Sequence, residues 1–202
     1  MSESDSVGLS AESQNEAAAV SKGTLDDFQQ YCRSLGVVGL LAQDADLMWV
    51  VQQAFQAPLP RSWTEYVDDE GRVYFFNLVT EQSTWEHPLD CIYRELIELI
   101  VRVRKSVPPA SQEQRVQVVH QHLVEAHGKA LAELETWSGP YQSETGSYFH
   151  NDTLHVSTWV SPVEDKEFEL LIRQSVLYQC LLADMYHNNV EVAAGGPPPE
   201  AK

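Results

Sequence analysis

Positive charge is scarce in this chain. Its 13 Lys and Arg residues are set against 30 Asp and Glu, a formal net charge of −17, and the deficit is spread along the length instead of being gathered in one tail. A surface of that sign repels phosphate, so binding to nucleic acid or to an anionic membrane is disfavoured, and a basic or neutral protein partner is favoured. Cysteine is sparse as well. Cys32, Cys91 and Cys180 lie far apart, are odd in number and lack metal-ligand spacing. That excludes a disulfide framework and points to buried thiols in a reducing compartment. No apolar run approaches the roughly 20 residues needed to span a bilayer. The acidic, polar stretch Met1–Ser21 is unlike a secretory signal. Catalytic signatures are missing too: there is no Gly-rich phosphate loop and no nucleophile elbow. His120, His122 and His127 fall on one helix, but only His120 and His127 share a face, and no acidic or Cys ligand joins them. The expectation is a protein that is not an enzyme, holds no metal or cofactor, and resides in the cytosol or on a cytosolic structure.

What is present is an ordinary globular balance, 43 % hydrophobic and 21 % charged, arranged with two different periods. Residues 1–23 are Ser-, Glu- and Ala-rich and are expected to be disordered. A helix is expected from Thr24 to Gly36, with Leu25, Phe28, Tyr31, Cys32 and Leu35 as its apolar stripe. A second follows over Asp44–Gln56, ended by Pro58 and Pro60. Residues 59–88 switch to short β-rich runs around Thr64–Val67, Arg72–Asn77 and Ser83–Trp85, separated by the turn Asp68-Asp69-Glu70-Gly71 and a polar link at Thr80–Gln82. Helical period returns at Asp90–Lys105, stops at Pro108-Pro109, and resumes behind the capping box Ser111…Gln114. A second β-like stretch occupies 137–162. A last helix is expected from Asp165 to His187, followed by a Pro-rich tail over 189–202 that contains Pro197-Pro198-Pro199.

The two β-like stretches match each other. A displacement of 74 positions places Trp63, Tyr74, Phe75, Asn77, Ser83, Thr84, Trp85 and Pro88 on Trp137, Tyr148, Phe149, Asn151, Ser157, Thr158, Trp159 and Pro162 without a gap. These eight identities include four of the five Trp residues, which points to a duplicated unit. The reading is α+β: two small three-stranded antiparallel sheets, the second degenerate, clasped by flanking helices. The units are 24–107 and 108–188, with sheets at 59–88 and 137–162.

The pattern Leu59-Pro60-x-x-Trp63, Gly71-Arg72-Val73-Tyr74-Phe75-Phe76-Asn77, Thr80, Ser83-Thr84-Trp85, Pro88 closely resembles the WW family. The resemblance implies a structural buckle of Trp63, Phe75 and Pro88, steadied by Asn77, Leu59 and Pro60, on one face of the sheet. On the opposite face Tyr74 and Trp85 would wall a slot for proline rings, with Phe76, Leu78 and Thr84 beside it. A polyproline II segment enters such a slot already ordered. The competing reading, that helices simply cover these aromatics, stays open. Leu78 stands where tyrosine-reading relatives carry His, and the acidic loop Asp68-Asp69-Glu70 would repel phosphate, so neither a tyrosine after the prolines nor a phosphoserine is the expected ligand. The second copy keeps a buckle (Trp137, Phe149, Asn151, Pro162) and a slot (Tyr148, Trp159). It lacks the Leu-Pro lead-in and has Asp152 on the groove side, so it reads as mainly structural with weak binding.

The surroundings sharpen the resemblance. Leu47-Met48-Trp49, then Ala57-Pro58-Leu59-Pro60, the WW core, His87-Pro88 and Tyr93-Arg94 make residues 25–100 similar to the N-terminal helix–WW–helix domain of a family of large centrosomal proteins of centriolar distal appendages. That resemblance implies a ciliary or centrosomal protein-recognition adaptor whose partner is proline-rich or a kinase. A permanent structural component of the axoneme or basal body, or a soluble signalling or splicing adaptor, are the alternatives. The helices' apolar faces need cover, and the sheets beside them are expected to supply it.

Overall fold

The computed structural model describes residues 27–37 and 45–183; the ends expected to be disordered, 1–23 and 189–202, lie outside the described residues. The fold is α+β, with helices and two separate three-stranded antiparallel sheets. In chain order the elements are α1 (27–34), α2 (Ala45–Phe55), β1 (Trp63–Val67), β2 (Val73–Asn77), β3 (Ser83–Thr84), α3 (Asp90–Arg104), α4 (Gln112–Leu134), β4 (Trp137–Ser143), β5 (Gly146–Asn151), β6 (Val156–Thr158) and α5 (Pro162–Leu181). Each sheet is a meander with the strands in sequence order.

The helices are built as their patterns require. Leu47, Val50, Val51 and Ala54 of α2 recur at helical spacing and are buried, as are Ile92, Tyr93, Leu96, Ile97, Leu99, Ile100 and Val103 of α3. The capping box forms: Ser111 Oγ accepts from the Gln114 amide, and the Ser111 amide donates to Gln114 Oε1 at 2.8 Å. These helices cover one another. The buried apolar cluster runs from Cys32 and Leu35 through α2 and α3 to Val119 of α4 and Ile172, Val176, Leu177 and Leu181 of α5, and none of its residues lies in a strand. The sheets therefore do not supply the cover that the sequence suggested; helices from both units do. Polar ties reinforce this. Arg104 pairs with Asp46 and donates to the Cys180 carbonyl at 3.1 Å, and Arg173 reaches Glu95 at 2.7 Å. Of the three thiols Cys32 is buried, Cys180 is half-buried and Cys91 is exposed. The expectation of buried thiols thus fails at Cys91, which sits on the outer face of α3 with its Sγ 3.5 Å from the Pro88 carbonyl.

The sheets attach to this helical body at defined points. Tyr31 Oη of α1 donates to Asp90 Oδ1 at 2.6 Å, at the start of α3 just after the first sheet. Asp165, in the first turns of α5, accepts the backbone amides of Arg61 (2.7 Å) and Ser62 (3.1 Å) where the chain approaches β1, across more than a hundred residues of sequence. Arg61 Nε also meets Glu164 at 2.8 Å. His87 lies between the first sheet and α3, its ring edge-on to Phe75 at 5.2 Å and its Nδ1 accepting from the Leu89 amide at 3.3 Å.

The two sheets agree hydrogen bond by hydrogen bond at one end. Asn77 Oδ1 accepts from the amides of Val79 and Thr80, as Asn151 Oδ1 does from Thr153 and Leu154. Glu81 and His155, 74 positions apart, both adopt positive φ, 57° and 56°. Leu78 N donates to the Ser62 carbonyl at 2.8 Å, and Asp152 N to the Thr136 carbonyl at 2.9 Å. They differ at the other end. In the first sheet Trp63 pairs with Asn77 and Tyr66 with Tyr74; in the second Trp137 pairs with Asn151, but Tyr141 faces Tyr148, one residue later than the displacement predicts. The extra residue is a bulge at Gly139-Pro140. Gly139 has φ +123°, and a Cβ there would stand 3.0 Å from the Tyr148 carbonyl oxygen.

Two expectations follow. Gly139→Ala forces an L side chain into that conformation and contact, so it should cost about 1–3 kcal/mol of stability, measured by urea denaturation; an unchanged midpoint would mean the bulge is dispensable. Burial holds the His87 imidazole below its ordinary value of 6.5. The unfolded chain therefore takes up the extra proton first as pH falls, so the contribution of neutral His87 is complete above that value and is lost below it. Melting midpoints should drop between about pH 7 and about pH 5, and His87→Gln should reduce the drop. Parallel curves for the two proteins would contradict this.

Candidate ligand grooves on the two sheets

Alternation along β1 and β2 sends Trp63, Phe75 and Asn77 to one face and Tyr66, Tyr74 and Phe76 to the other. The ring contacts follow that division. Tyr74 meets Trp85 at 5.8 Å with the planes at 65°, Tyr66 stacks on Tyr74 at 5.7 Å, and Tyr66 meets Phe76 edge-on at 6.2 Å. A hollow of about 370 Å³ lies there, lined by Asp68, Tyr74, Ser83, Thr84 and Trp85. No helix among the described residues covers it: Trp85 is 59 % exposed, which decides against the reading in which the pair is buried under neighbours.

Of the residues singled out from sequence, Tyr74, Thr84 and Trp85 are brought together in the hollow, and Phe76 joins them through Tyr66. Leu78 is exposed but is not part of the lining. Thr84 Oγ1 accepts from the Glu86 amide at 3.2 Å, which ties down the turn behind Trp85. Sequence reasoning missed three contributors. Tyr66 was legible, because its alternation with Trp63 puts it on the face of Tyr74. Ser83 enters as the neighbour of Thr84. Arg72 was not legible: its guanidinium lies over the Trp85 ring, 4.7 Å from the centroid, a cation–π contact. Asp68 fixes it there, accepting from the Arg72 amide (2.8 Å), Nε (2.9 Å) and Nη2 (2.7 Å), with Glu70 at 3.2 Å. The backbone amide of Arg72 foremost, and its side chain as well, hold the Asp68 carboxyl below its usual range. The acidic loop is thus partly spent on its own arginine.

The second sheet has a matching aromatic face. Tyr148 meets Trp159 at 5.8 Å and 71°, Tyr141 meets Tyr148 at 5.4 Å, and Trp159 is 61 % exposed. The bulge restores the geometry by bringing Tyr141 to the place Tyr66 holds in the first sheet. Gly146 stands at the position of Arg72, so this tryptophan has no cation over it there. His150 takes the place of Phe76, with Nδ1 3.0 Å from Ser157 Oγ and Nε2 3.8 Å from Asp152, so this face is the more polar one.

The opposite faces turn towards each other. Trp63, Asn77 and Pro88 of the first module and Trp137, Asn151 and Pro162 of the second line one cavity between the sheets. Trp63 and Trp137 are only half-buried, whereas Asn77 and Asn151 are buried. Phe75 and Phe149 are half-buried on the same sides. The hollows consequently face outward, back to back.

The CEP164 N-terminal domain family matches residues 8–111, just over half of the chain and ending before the second sheet. Among curated relatives, the mouse Centrosomal protein of 164 kDa (Mus musculus) is 36 % identical over 80 residues, covering 40 % of this chain and 5 % of its own length. The chain thus spans a small fraction of that relative. The helix pair, the first sheet with its Trp63 and Tyr74–Trp85 faces, and α3 all fall inside the matched residues, and the chain belongs to the CEP164 N-terminal domain family.

Proposed function

We propose that this chain is a protein-recognition adaptor of the centrosome, basal body or cilium, and that it works by binding rather than catalysis. The outward hollow of the first sheet takes a proline-containing segment of its partner. The observation that carries the reading is the open Tyr74–Trp85 pair: two aromatic rings with centroids 5.8 Å apart, Tyr74 half-buried and Trp85 59 % exposed, on the outer face of the sheet. Exposed aromatics of this size find their use in contact with a partner, and flat rings at an angle offer apolar faces to a pyrrolidine ring. Membership of the CEP164 N-terminal domain family and the likeness to a protein named for the centrosome support the location. A kinase or another proline-containing protein fits as partner. The charge of −17 argues against nucleic acid, and no helix among the described residues is long and apolar enough to cross a membrane.

The two modules read as copies of one unit, the second diverged. Its tryptophan is as exposed as the first, but the face carries His150 and Asp152, so it suits a more polar segment and binds prolines weakly. Because the hollows face away from one another, one short peptide does not reach both. That arrangement favours a second reading, a permanently assembled component of the axoneme or basal body with a partner on each side. Retention in a basal-body preparation through high-salt washing separates this from a reversible adaptor.

Two outcomes are expected. Titration of the full chain with a decaproline peptide should show binding that Trp85→Ala weakens by about tenfold or more. The melting temperature should stay nearly unchanged, because that side chain is exposed; equal affinity in the variant would remove the groove reading. A fluorescently tagged chain expressed in ciliated cells should concentrate at basal bodies or along the cilium, and uniform cytoplasmic or nuclear signal would sink the location.

A further inference from the structure

The cavity between the sheets measures about 510 Å³, a size that accepts a small ligand or a few side chains. Its walls are the indoles of Trp63 and Trp137 with Pro60, Pro88, Pro162 and Val160. Neither hollow uses these faces. Its charged groups come from α5 and the end of α4. Lys166 Nζ pairs with Glu133 at 2.9 Å and with Glu169 at 3.4 Å, so one ammonium serves two carboxylates and a unit of negative charge is left over. Asp165, the third carboxylate of the lining, is already committed to the amides of Arg61 and Ser62. Burial raises the Glu169 carboxyl above its usual value, against the opposing pull of Lys166 and of the more distant Arg173.

A second, independent observation concerns Asn77. The residue is 8 % exposed and lines the cavity. Its Oδ1 is occupied by the Val79 and Thr80 amides, while its Nδ2 has no hydrogen-bond partner among the described residues. The corresponding amide of Asn151 donates to Thr136 Oγ1 at 2.8 Å. A side-chain donor left open on the wall of a largely apolar cavity offers a partner to a ligand's acceptor.

We propose that this cavity is a recognition site, separate from the two hollows, for a peptide segment carrying an arginine between apolar residues. A backbone carbonyl of the segment accepts from Asn77 Nδ2, the guanidinium pairs with Glu169, and the flanking side chains fill the proline-lined walls. Arginine suits the site better than lysine because its planar, weakly hydrated head lies flat against an indole while still donating to a carboxylate. A simple amine would leave the Asn77 donor unmet and most of the volume empty. The acidity of the whole chain draws a basic segment towards the cavity.

The test uses the full chain and a proline-free probe, acetyl-Ile-Arg-Leu-amide, beside its citrulline analogue, which keeps the shape and loses the charge. Indole and side-chain amide signals are followed by NMR during titration. Expected are shifts of the Trp63 and Trp137 indoles and of the Asn77 amide, with Trp85 and Trp159 still. Affinity should fall about tenfold both for the citrulline peptide and in Glu169→Gln, whose melt is recorded alongside. If Glu169→Gln fails to fold, the citrulline comparison decides alone. Absence of any shift, shifts confined to Trp85 and Trp159, or equal affinity for the two peptides would overturn the proposal. Because the decaproline titration reads the outward faces, failure of one site leaves the other intact.

Discussion

One carboxylate sets how the two modules meet. Asp165 sits near the start of α5, where the helix dipole favours a negative group, yet its oxygens are given to the amides of Arg61 and Ser62 at the approach to β1. Amides bound by a charged acceptor make stronger hydrogen bonds than neutral pairs do, and here they belong to a segment that would otherwise be a free linker. By fixing Pro60 to Trp63 against the helix that follows the second sheet, this contact turns the two tryptophan faces towards each other. The outward orientation of both hollows and the cavity between the sheets both depend on it.

The helices supply the stability that small three-stranded sheets lack. A meander of this size has too little interior to be secure alone, and the buried apolar cluster accordingly lies in the helices and the turns that flank them, with no strand residue in it. The arrangement relieves the sheets of core duty on their outer faces. Trp85 can remain exposed, and Tyr74 half-buried, without unfolding the module, because the body that holds it is elsewhere. Arg72 fits the same logic. Anchored by Asp68 and laid over Trp85, it shields part of an exposed indole.

Much of this could be read from residue order. Periodicity located the helices and strands, since a 3.6-residue stripe and a two-residue alternation leave unmistakable marks in α3 and β2. Alternation also separated Trp63 from Tyr74, and it should have recovered Tyr66. The bulge at Gly139 was hidden because a gapless displacement of 74 positions aligns both sheets, and only strand pairing shows that Tyr141, not Pro140, stands opposite Tyr148. Exposure of Cys91 was invisible for a similar reason: a thiol beside an apolar stripe looks buried until the rotation of the helix is known.

The sequence by itself determined the two WW-like modules, the faces of their aromatics and the acidic character of the chain, because these follow from local spacing and composition. Tertiary structure decided what covers the helices, where Arg72 lies, and that the buckle faces look at one another across a cavity with an open Asn77 donor and a shared Lys166. These are contacts between residues tens to more than a hundred positions apart, or choices among rotamers, and neither is encoded in the spacing of neighbours. A pattern of alternation states which residues share a face of a sheet; only packing states what that face meets.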